Sequence, residues 1–189
     1  MLSPTAGLDE PIETPWTRLE TGTWLHKRPE KDVYILLIDV YRLRIHDAYK
    51  LRPSTPPPSF EGFEAFLKRL ATQATDLMPD WWSDEKEAAC LALAAESEGW
   101  SYLLRILNPD DCATHYAEFS FPFQLRMFAE AVVGPIEPGK SLAVLQKWLA
   151  FREQGFVDEN DPVHLPRGFR VPAGRMGPYH WGVTPAELL

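Results

Sequence analysis

His26, Asp39, Tyr41, Arg42 and His115 are the residue types from which a cofactor-independent acid–base site could be assembled. Two imidazoles exchange protons near neutral pH, a carboxylate and a phenol can donate or accept, and a guanidinium can hold developing negative charge. Their spacing is not itself a motif, so convergence would have to come from the fold. The chain has no glycine-flanked nucleophilic serine, no His-Glu zinc helix and no dinucleotide glycine loop. No cofactor is expected. The alternative is structural: Asp39 lies within an apolar stretch, and a buried carboxylate needs a cation such as Arg42 or Arg44 beside it.

Two other patterns point to chemistry that their context opposes. Gly134-Pro135-Ile136-Glu137-Pro138-Gly139-Lys140-Ser141 satisfies the phosphate-loop pattern, and Ile35-Leu36-Leu37-Ile38-Asp39 imitates a strand ending in a metal-binding aspartate. A phosphate loop works through successive backbone N–H groups, of which Pro135 and Pro138 each remove one, while Glu137 places a carboxylate where the anion would sit. A connection between two helices is the expected structure. Cys112 and His115 could form half of a tetrahedral zinc site, completed by Cys90, His46 or His26, but the second half has no recognisable spacing, and no metal is expected. Trp81, Trp82, Trp100 and Trp148 could line a ligand cage, though bulk in a core is the simpler use.

The element that must position Asp39 begins near Pro29, with Glu30 and Asp32 at the positive end of the helix dipole. Val33, Leu36, Leu37, Val40 and Tyr41 share one face, which Tyr34, Ile38 and Ile45 widen, so this helix is predicted to be central. Prolines at 4, 11 and 15 make residues 1–22 an extended arm anchored by Trp16 and Leu19, and Pro53 with Pro56, Pro57 and Pro58 makes an extended connector. Ser59 caps a helix carrying Phe63, Phe66, Leu67, Leu70 and Ala74, stopped by Pro79. Ser83 caps another, running to about residue 96. Asn108-Pro109-Asp110-Asp111 starts a short helix bearing Cys112, His115 and Tyr116. Residues 121–133 form a helix ended by Gly134, and residues 140–154 form one ended by Gly155. The fold class is therefore all-α, an irregular bundle of about six or seven helices over residues 1–155.

The run from Gly7 to Ile12, then Trp16 to Leu19, Thr23 to His26, Arg28 to Glu30, Asp32 to Tyr34, Leu36 to Asp39 and Tyr41 to Arg44 resembles the region that follows the zinc finger in fungal MYND-finger proteins. Gly62-Phe63, Phe66-Leu67, Pro79, Trp81-Trp82, Lys86, Cys90, His115-Tyr116, Gln124 to Met127 and Ala129-Glu130 extend the resemblance to about residue 134. It implies a helical body and a role in binding proteins. The finger itself is a cysteine and histidine array, whereas this chain has only Cys90 and Cys112, so the finger's zinc ions and the binding it confers do not carry over.

Composition agrees with one helical domain and an extension. A chain of 189 residues, 45% apolar and 12% aromatic, can bury a core without staples. Its net charge of -8, from 27 acids against 19 bases, opposes nucleic acid as a partner. Two distant cysteines, no bilayer-length apolar run and no targeting signal give the expectation of a cytoplasmic or nuclear protein that does not engage membranes. Prolines and glycines exclude long regular elements from residues 156–189, where Phe169, Tyr179 and Trp181 are expected to pack on the body, on a protein partner or on a second copy. The expected function is a noncatalytic interaction or regulatory module; the alternative is an acid–base enzyme with its pocket between helices.

Overall fold

The computed structural model describes residues 7–156, which form seven helices and no strand. The expected anchors Phe169, Tyr179 and Trp181 lie outside the described residues. At the centre is α2, Glu30–Leu51, buried without interruption from Asp32 to Leu43. A helix apolar on most of its circumference must be enclosed, and α3 (Phe60–Gln73), α4 (Asp84–Ala94) and α6 (Phe121–Val133) enclose it. Pro29 occupies the position before the first helical residue, and its carbonyl accepts the Val33 N–H at 3.2 Å.

Local signals explain most helix starts. The Ser59 hydroxyl accepts the Gly62 N–H at 3.1 Å, and Asn108 Oδ1 accepts the Asp111 N–H at 2.9 Å to open α5, Pro109–His115. Ser83 precedes α4 without a side-chain capping bond, leaving Asp84, Glu85 and Glu87 to meet the helix dipole. α3 ends six residues before Pro79, giving way to a 3-10 turn at Thr75–Leu77. α4 likewise ends at Ala94, short of residue 96.

The N-terminal arm departs from the extended expectation. Residues Pro15–Glu20 coil into α1, which packs on α7, Ala143–Glu153. Thr14 turns into the left-handed region at φ 47°, Pro15 takes the first helical position, and Glu153 accepts the Thr17 N–H at 2.7 Å and the Trp16 N–H at 3.4 Å. A carboxylate on the last described helix thus caps the first described one. Glu130 serves α7 similarly: it accepts the Ser141 hydroxyl and the Leu142 N–H, the latter at 3.0 Å, while Ser141 Oγ accepts the Ala143 N–H at 3.1 Å.

Candidate functional site

α2 brings Asp39 and Arg42 to one side because residues three apart share a helix face. The connection after α4 supplies Trp100, and the C-terminal end of α5 supplies His115 and Tyr116. Asp39 is fully buried, and its two oxygens accept three hydrogen bonds: Arg42 Nη1 at 2.8 Å on Oδ1, Trp100 Nε1 at 2.7 Å and the Tyr116 hydroxyl at 2.6 Å on Oδ2. Arg42 also donates through Nη1 to the Trp100 carbonyl and through Nε to the Arg105 carbonyl, both at 2.9 Å. Its Nη2 is buried without a hydrogen-bond partner. Two helix residues therefore gather the irregular 100–105 segment through its backbone as well as its side chains.

Burial pushes the Asp39 carboxyl above its ordinary range, while the Arg42 charge and the bonds from Tyr116, Trp100 and Arg42 pull it back. The donor set fits the ionised form, since every neighbour offers hydrogen. The same burial, with the Asp39 charge, pushes the Tyr116 phenol well above its usual value, so it serves as a donor. His115 lies flat on Trp100, centroids 3.6 Å apart and planes 4° apart, and its pKa is lowered by burial and by the Arg42 charge. Gly7 approaches the Nε2 edge of the ring so closely that a Cβ there would run into the imidazole, and φ 91° favours glycine as well. Tyr116 stacks on Phe121 at 3.8 Å.

Of the five acid–base residues expected from sequence, Asp39 and Arg42 are directly bonded, and His115 joins them through Trp100. His26 is elsewhere, with Nε2 3.0 Å from the Asp76 carbonyl oxygen. Tyr41 faces α3, packing on Phe63 and Phe66 with its hydroxyl 3.4 Å from the Ser59 carbonyl oxygen. Trp100 and Tyr116, the neutral partners of Asp39, were not assigned to it from sequence; they come from 61 and 77 residues away, with no spacing signal.

Cys112 and His115 do share α5, but His115 is committed to the Trp100 stack, and Cys90 lies under the Tyr34 carbonyl with Sγ 4.0 Å from the oxygen. Burial pushes both thiols far above their ordinary range. Among the described residues no three His, Cys, Asp or Glu side chains are grouped to hold a metal.

A second buried network ties the segment before α2 to α6. Trp24 donates from Nε1 to Gln124 Oε1 at 3.3 Å, and Gln124 Nε2 donates to Glu118 at 2.7 Å. The Ser120 hydroxyl donates to the same Glu118 oxygen at 2.5 Å, while burial raises the Glu118 pKa. Trp24 and Gln124 are completely buried.

Residues 134–142 connect α6 to α7, and Lys140 Nζ lies 2.7 Å from Glu137. The phosphate-loop lysine thus has a neighbouring carboxylate as its partner, and no strand leads into the turn. Lys140→Ala is expected to leave the melting temperature within error, because this is an exposed pair of small worth. Millimolar ATP with magnesium is expected to leave both proteins unshifted in thermal melts; stabilisation lost in Lys140→Ala would restore the nucleotide reading.

No family model, curated protein or solved structure matches the chain.

Proposed function

We propose that the chain is a noncatalytic protein-interaction or regulatory module, a helical body akin to that of fungal MYND-finger proteins without the finger. The observation that carries this reading is the inward bonding of Asp39: all three of its hydrogen bonds come from Arg42, Trp100 and Tyr116. A carboxylate that accepts three interior hydrogen bonds and has no exposed surface organises a core rather than meeting a substrate. An acid–base enzyme is the weaker reading because His26 and Tyr41 lie away from that cluster.

The surface adds support. Val144, Phe151 and Phe156 are exposed along and just beyond α7, with Lys147 Nζ 5.7 Å from the Phe151 ring centroid. Apolar side chains rimmed by a cation suit a protein partner better than solvent. No described helix is long and apolar enough to cross a membrane, and a net charge of -8 disfavours nucleic acid as a partner. The two buried, unpaired thiols suit a reducing compartment, the cytoplasm or nucleus.

Phe169, Tyr179 and Trp181 are the proposed anchors for a protein partner or a second copy. Removal of residues 157–189 is expected to lower the mass measured by light scattering as concentration is raised, and Trp181→Ala to reproduce part of that loss. An identical mass for full and shortened chains at every concentration would remove this segment as a self-association surface.

A further inference from the structure

We propose that residues 7–10 are an exchangeable arm: the clamp formed by Arg28, Asp32 and His115 holds this segment within one copy and accepts the same segment from a second, giving an arm-exchanged dimer. The clamp reads mainly backbone. Asp32 accepts the Asp9 N–H at 2.8 Å on one oxygen and the Glu10 N–H at 3.1 Å on the other. Arg28 Nη2 donates to the Glu10 carbonyl at 2.5 Å and to Asp32 at 3.1 Å. Gly7 sits against the His115 ring, and Leu8 is the arm's buried side chain. These contacts could be made equally well by the arm of another copy.

The hinge supplies the reason for exchange. Pro11, Ile12 and Glu13 make no hydrogen bond among the described residues and Pro11 and Ile12 are only half-buried, so the clamp supplies the hydrogen bonds that fix the arm's path. Thr14 is then held at φ 47° and ψ 55°, a conformation that β-branched residues seldom adopt, immediately before Pro15. The proline ring favours extended backbone at the preceding residue, so the closed arm forces Thr14 away from its local preference on both counts. Straightening Thr14 relieves that strain and swings the arm away from its own clamp. α1 stays in place, because its N–H groups are held by Glu153. From Thr14 back to Asp9 an extended arm reaches roughly 17 Å, enough for two bodies meeting near their hinges. The exchange is reciprocal and closes at two copies, leaving no free clamp. A strained short hinge is the condition under which such swapping competes with the closed monomer.

The test uses the full chain with a photoreactive leucine analogue at position 8. Nitrogen-14 and nitrogen-15 copies are mixed at the highest soluble concentration and cross-linked after increasing times. Exchange predicts cross-linked peptides joining an arm of one isotope to a clamp of the other, accumulating with time alongside a species of twice the monomer mass. Thr14→Gly, which accepts the left-handed conformation without strain, is expected to lower the mixed-isotope fraction several-fold without disturbing helical content. The arm links should persist in a chain lacking residues 157–189, which separates this contact from any made by that segment. Links confined to one isotope overturn the proposal, whether or not a dimer is present, as does a mixed fraction unchanged by Thr14→Gly.

Discussion

Asp39→Ala is expected to destabilise the protein by about 4 kcal/mol, because it leaves the buried Arg42 guanidinium without its counter-charge. Trp100 Nε1 and the Tyr116 hydroxyl lose their acceptor in the same step. Asp39→Leu suits the surrounding apolar side chains but leaves the same three donors unmatched, so it should recover little. The informative variant removes acceptor, cation and phenol together: Asp39→Leu with Arg42→Met and Tyr116→Phe replaces the charges and the hydroxyl by apolar volume. It is expected to regain much of the loss. Urea unfolding measures all three, with a constant slope marking a change in stability alone. An Asp39→Ala protein that unfolds like the parent would remove the ion pair as a structural element.

Trp24→Ala should have an effect of similar size, about 4 kcal/mol, for a different reason. Trp24 is fully buried against Phe128, ring centroids 5.2 Å apart, and its removal leaves a large cavity between the segment before α2 and α6. Trp24→Phe retains most of the packing and loses the bond to Gln124 Oε1, so its added cost should be nearer about 1 kcal/mol. Comparing the two in thermal and urea unfolding separates volume from hydrogen bonding. Equal losses would mean that the hydrogen bond, not the packing, holds Trp24 in place.

These networks mark where sequence reading stops. α3 and α5 were legible because their caps are local: Ser59 and Asn108 bond N–H groups three residues on. Asp39 with Arg42 was legible for the same reason, being three apart on one helix. Tyr41 was grouped with them although two helical residues lie roughly 200° apart around the axis, which sends Tyr41 toward α3 while Asp39 faces Trp100. α1 was not legible because its capping carboxylate is Glu153, 136 residues from Thr17. The start of α7 was displaced by Glu130, which holds the Leu142 N–H from the preceding helix. Asp32 was read as a partner of its own helix dipole, yet its oxygens fasten the arm at Asp9 and Glu10. For α1, α7 and Asp32 the missing information was a tertiary partner for a backbone N–H, which neither periodicity nor local propensity encodes.

Thr17 and Glu153 are separated by 136 residues of chain and by 2.7 Å between their bonded atoms. The first and last described helices consequently lie side by side and close the body on itself. A pull on the chain behind α7 would meet the α1–α7 contact, whereas a pull ahead of Gly7 would meet the clamp on Asp32 in the first turn of α2, so the two ends load the body at different helices.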